Sequence, residues 1–145
     1  LKTGALAIFM RVVVPNYGGE GGWVIRVWDG EASQDHSGRV PKVTSPQELE
    51  LLTTFQIFKS VDKKASLRIY TSSEYLFKGI TQWIHGWQKR DWKTASGTPV
   101  KYANVWQEIH KVSQNRDVEW VYEGDQTPPD AIKGLEYVAQ SALNK

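Results

Sequence analysis

The sequence predicts an α/β domain whose core is a five-stranded mixed sheet with helices on both faces. Three observations carry that expectation. An apolar, β-branched run opens the chain, and four further segments have strand character. Amphipathic helical segments separate the later strands, which calls for crossover connections and so for parallel pairing. With 145 residues, 40% of them hydrophobic and 23% charged, the chain is long enough for one sizeable core.

Taken in order, "ALAIFMRVVV" (5–14) reads as a buried central strand interrupted by a single charge, Arg11. "PNYGGEGG" (15–22) is a glycine-rich turn, and "WVIRVWDG" (23–30) a second strand. The turn lacks the lysine and following Ser/Thr of a phosphate-cradling loop. A weak third strand is expected near Gly38 to Val43. "TSPQELELLTTFQIFKS" starts a helix: Thr44 or Ser45 can cap it, Pro46 suits the first turn, and Leu49, Leu52, Phe55 and Phe58 form a stripe. "ASLRIYT" (65–71) is a fourth strand. From Glu74 a helical region places Ile80, Trp83, Ile84 and Trp87 on one face, and a second carries Val105, Trp106, Ile109 and Val112. "VEWVYEG" (118–124) is the fifth strand, and a last helix is expected from Ala131 to Leu143.

Composition removes several function classes. The absence of cysteine excludes disulfides, thiolate nucleophiles and cysteine-ligated metals. His36, His85 and His110 are too dispersed to form a ligand motif. No apolar run approaches the roughly 18–20 residues of a spanning helix, so no membrane partner is expected, and an intracellular setting is, with nucleus and cytoplasm left open. A formal charge of +2 does not by itself mark a nucleic-acid binder. The chain starts at Leu1, and residues 1–145 are expected to be one domain of a longer protein.

One stretch is more specific. "YTSSEYLFKGITQWIHGWQKRDWKTASGTPVKYANVWQEI" (70–109) resembles the fourth strand and tryptophan-rich basic protrusion of the cellular, type I ribonuclease H family. "IFMRVVVPNYGGEGGWVI", "SPQELELL" and "LEYVAQSA" resemble that family's first hairpin, first helix and last helix more weakly. The resemblance implies an RNase H-like fold with a basic protrusion. Family enzymes cut the RNA strand of an RNA/DNA hybrid with two magnesium ions held by four carboxylates. Laid over the family pattern, those four positions read Arg11, Glu50, Ser72 and Leu135.

One acid in four, with a permanently charged guanidinium beside it, leads to the expectation of no metal, no cofactor and no catalysis. On this reading the domain is a pseudo-nuclease, not an enzyme. It would be a scaffold that contacts another protein or flanking domains of its own chain, with Glu50 paired to Arg11 and Leu135 in ordinary packing. The alternative is a nucleic-acid-binding domain for RNA/DNA hybrid, duplex RNA or single strands, acting through the protrusion without cleavage. Its candidate contacts are Lys89, Arg90, Lys93, Lys101 and Trp92, joined by Lys42 and Thr44 at the phosphate pocket that the resemblance implies. Pro46 has no amide to offer that pocket.

Overall fold

The opening apolar run forms β1 (Ala5–Val13) at the centre of the sheet. The structure is a computed structural model that describes residues 5–124, 127 and 129–144. Alternate β1 side chains enter different cores, as the two-residue period of a strand requires. Ile8 and Met10 join one, Ala7 and Phe9 the other. β2 (Gly21–Trp28) pairs antiparallel with β1, and β3 (Ser33–Val40) antiparallel with β2. β4 (Ser66–Thr71) lies parallel to β1, and β5 (Val118–Tyr122) parallel to β4. The order β3-β2-β1-β4-β5 is the mixed sheet expected.

β3 starts earlier and runs longer than its sequence suggests. Ser33 to His36 are polar and carry no apolar alternation, yet they pair in register with β2 through backbone bonds at an exposed sheet edge.

α1 (Pro46–Ser60) begins as expected, with Ser45 taking the cap: its hydroxyl accepts from the Glu48 amide at 3.3 Å. The Glu48 carboxylate accepts in return from the Thr44 amide at 2.8 Å. The buried arc is shifted from the stripe of Leu49, Leu52, Phe55 and Phe58: Leu49 and Phe58 are buried, Leu52 and Phe55 only partly. Leu51 and Ile57 are fully buried as well, because α1 packs against both the sheet and α4 (Ala103–Ser113). Two threonines in that arc, Thr53 and Thr54, satisfy their hydroxyls on the carbonyls four residues back, each at 2.7 Å.

After β4 the chain turns into α2 (Glu74–Lys78), widens into one π-helical turn (Gly79–Trp83), and continues as α3 (Ile84–Lys89). At Gly79 a side chain is not possible, since a Cβ there would stand 2.1 Å from the Trp106 ring.

The last helix is shorter than expected. Pro129–Ile132 form a 3-10 turn, Gly134 takes a left-handed φ of 73°, and α5 is confined to Leu135–Ala142. Glycine occupies that conformation without the steric cost other residues would carry, so the helix breaks there. α5 covers the sheet face opposite α1, over Ala7, Phe9, Val24, Tyr70 and Val121. Helices therefore lie on both faces.

Candidate nucleic-acid interface and carboxylate cleft

Because β4 and β5 run parallel, Thr71 and Tyr122 end side by side, and the amide of the next residue, Glu123, still bonds to the Thr71 carbonyl at 2.9 Å. This holds the Glu123 carboxylate against β1. Arg11 meets it with both terminal nitrogens, at 2.7 and 2.8 Å, and also donates to the Met10 carbonyl at 2.8 Å. A bidentate guanidinium–carboxylate pair is the strongest geometry such groups adopt. Glu123 is buried and Arg11 mostly so.

Arg11 is therefore not paired with Glu50, as the sequence led us to expect. Its partner lies 112 residues away in the chain, and the strand-end ladder is what brings it there. Glu50 instead sits on α1 beside the start of α2. Burial pushes its pKa above the usual carboxylate range, with the Ser73 side chain opposing the shift by hydrogen bonding. Ser73 also caps α2, accepting from the Leu76 amide at 3.1 Å. Tyr75 borders the same space: burial raises its phenol pKa, the Trp106 contact opposes this, and the Glu50 charge adds to the rise.

The other two positions diverge. Ser72 is exposed at the strand end, while its neighbour Thr71 is buried and accepts from the Ser73 amide at 3.0 Å. Leu135 is buried among the apolar residues under α5. Among the described residues no three His, Asp or Glu side chains come together as a metal-holding group. The donor set does not fit the paired-magnesium arrangement that four carboxylates would support, and no chemical step is assigned to a metal here.

The protrusion has a different construction. Trp87 is its hinge, packed edge-on against Trp106 with centroids 5.1 Å apart and flanked by Trp83 at 6.0 Å and Trp92 at 6.3 Å. The Trp106 indole donates to the Tyr75 hydroxyl at 3.2 Å. At the tip, Asp91 and Trp92 take positive φ values of 55° and 61°, and the Trp92 amide returns to the Trp87 carbonyl at 2.7 Å. That tight reversal turns Trp92 back onto Trp87, half-buried. It leaves Lys89, Arg90 and Lys93 exposed around the turn, with Lys101 exposed farther along. The structure thus gathers Lys89, Arg90 and Lys93 at one turn and puts Trp92 in the packing beneath them.

Thr44 and Lys42 are exposed before α1. One residue the sequence did not single out joins them to the protrusion. The Tyr102 hydroxyl lies 2.8 Å from both the Thr44 and Ser45 hydroxyls, and the Lys101 ammonium stands 5.2 Å from its ring centroid. Burial would raise the Tyr102 pKa, but the bonds from Ser45 and Thr44 and the nearby Lys101 hold it below its ordinary value. Glu123 was missed as well. The strand pattern "VEWVYEG" placed it, but gave it no partner.

Comparison with known proteins places this geometry in context. The family model described as RNase H matches residues 13–124. Ribonuclease H of Chromohalobacter salexigens is 39% identical over 102 residues, 70% of this chain and 62% of that protein. Ribonuclease H of Polynucleobacter asymbioticus is 36% identical over 70% of this chain and 66% of its own. The chain thus spans just under two thirds of the length of these relatives. Among solved structures, LC9-RNase H1, a type 1 RNase H with the type 2 active-site motif, superposes with a TM-score of 0.76 at 20% identity, over 99% of this chain and 74% of that one. LC11-RNase H1 in complex with RNA/DNA hybrid superposes with a TM-score of 0.61 at 13% identity, over 96% of each chain.

These relatives correct the functional expectation. An inactive pseudo-nuclease kept as a protein scaffold is contradicted by proteins 33–39% identical that carry the name Ribonuclease H. No helix among the described residues is long and apolar enough to cross a membrane.

Proposed function

The chain belongs to the RNase H family, and we propose on that premise that it acts as a ribonuclease H, binding an RNA/DNA hybrid and hydrolysing its RNA strand. The observation that carries this reading is the protrusion. Trp87, Trp92 and Trp106 stack inward and the cations face outward around a fixed turn, so Lys89, Arg90 and Lys93 can meet successive phosphates with little ordering cost. The hybrid bound by LC11-RNase H1 supports that choice of duplex, as does the name shared by the relatives.

In the cleft, Arg11 is held by Glu123 and serves to fix the ends of β1 and β5. Glu50 is the acid the cleft offers to hydrolysis. A carboxyl whose pKa is raised by burial lies closer to the operating pH, where a group can both take and return a proton. Lys42 and Thr44 extend the basic surface toward α1, with Tyr102 fixing the Thr44 hydroxyl.

The test is incubation of a labelled RNA/DNA hybrid with the protein in magnesium and, separately, in manganese. RNA fragments are expected with wild type and not with Glu50→Gln. No hydrolysis under either cation, with protein in excess over hybrid, would refute the nuclease reading. Activity that survives Glu50→Gln would remove Glu50 from it.

A further inference from the structure

A cavity of about 430 Å³ opens on the α5 side of the sheet, beside the 3-10 turn that precedes α5. Its lining draws on β1, β2, β3 and β4 and on the 3-10 turn before α5, and includes none of Arg11, Glu50, Ser72 and Glu123. The volume lies within the range of small-molecule sites, roughly 300–1,000 Å³.

Three aromatic side chains form its walls. Phe9 and Tyr70 stack with centroids 4.6 Å apart and planes 19° from parallel, and Trp28, partly exposed, stands at the end of β2. Ala7 contributes only a methyl group, which leaves the space open, and Asp130 lies on the turn side, exposed.

Among the described residues of the lining the one cation is Arg26, and it is already engaged. It meets both Asp35 oxygens at 2.7 and 2.9 Å and donates to the Lys133 and Ala131 carbonyls at 2.8 and 3.3 Å. With Arg26 cancelled by Asp35, Asp130 leaves the described lining residues one negative charge. Arg68, on the same sheet face beside Tyr70, is paired with Glu119.

We propose that this cavity binds an organic cation, a substituted ammonium on an apolar or aromatic body. Aromatic faces carry the negative side of a quadrupole and attract such a cation, most strongly where water is partly excluded. Asp130 supplies the opposing charge, while an anion would find no uncommitted cation among the described lining residues. A neutral apolar molecule would fill the same volume without using Asp130.

The test titrates the full chain with benzyltrimethylammonium, followed by amide and indole proton–nitrogen spectra. The neutral isostere neopentylbenzene and the anion phenylacetate serve as matched probes. Saturable shifts are expected at Ala7, Ser33 and Ala131 and at the Trp28 indole, with the cation binding tighter than either probe. Trp28→Ala and Asp130→Asn, both at exposed positions, are each expected to weaken it roughly fivefold. Ala7→Leu should abolish binding by filling the floor. If that variant fails to fold, the Trp28 and Asp130 variants still decide the outcome. No saturable shift, equal binding of neopentylbenzene, or indifference to both surface variants would overturn the proposal.

Discussion

The cleft and the protrusion use charge in opposite ways. In the cleft, charges are taken out of water and must be matched: Arg11 and Glu123 satisfy one another across the sheet, and Glu50 responds to burial by a raised pKa. In the protrusion, apolar and charged groups are sorted, with Trp87, Trp92 and Trp106 inside and the lysines outside. The first arrangement ties stability to individual partners. The second lets the surface charge change with almost no effect on the fold.

The largest expected effect is in the protrusion's interior. Trp106→Ala removes a fully buried ring that touches Gly79, Tyr75 and Trp87, and is expected to cost about 4 kcal/mol in urea unfolding. A loss below about 1 kcal/mol would mean the stacked ring system is not the hinge described above.

Next is the cleft pair. Glu123→Gln leaves the Arg11 guanidinium mostly buried without its counter-charge, at an expected cost of about 3 kcal/mol. Replacing both, Arg11→Met with Glu123→Met, should recover most of that loss, because the penalty belongs to the orphaned charge. Equal instability of the single and double variants would show that shape, not charge, holds the strand ends.

A smaller, pH-dependent effect is expected at Glu50. Its folded-state pKa is raised, so the folded protein holds the proton more tightly than the unfolded chain. The contribution is favourable below the unfolded pKa and is lost as pH rises through the folded one. Glu50→Gln should therefore raise the melting temperature at pH 7 relative to wild type, with the advantage shrinking as the pH falls to 4. A constant advantage across that range would contradict the burial argument.

The smallest effect on stability marks the surface. Lys89→Ala, Arg90→Ala and Lys93→Ala combined should move unfolding by no more than about 0.5 kcal/mol. Hybrid affinity should nonetheless fall, and the slope of log affinity against log salt should shrink by roughly two to three. An unchanged slope would show that these cations do not face phosphate.

How much of this was legible in the sequence follows from the range of each interaction. The apolar run of β1, the Ser45–Pro46 helix start and the tryptophan spacing of 83–106 are local patterns, and each appears in the fold. The edge strand β3 was misplaced because an exposed edge needs no apolar alternation. The break at Gly134 was hidden inside a continuous helical stripe.

The Arg11–Glu123 pair was beyond reach, since nothing local distinguishes one acid near a strand end from another. Function was misread for a related reason. A few substituted positions say what a site lost by comparison with a pattern, and nothing of what the rest of the domain retains.

The π-helical turn at Gly79–Trp83 acts as a phase adjuster between two gears. Its wider loop lets the Ile84 amide close on the Gly79 carbonyl, five residues back, instead of four. Removing one residue there would leave a smoother helix and rotate α3 by about 100° relative to α2. Trp87 would then swing off Trp106, and the cations beyond it would face a different direction. In this protein the aim of a charged surface is set by one surplus residue on the far side of α3.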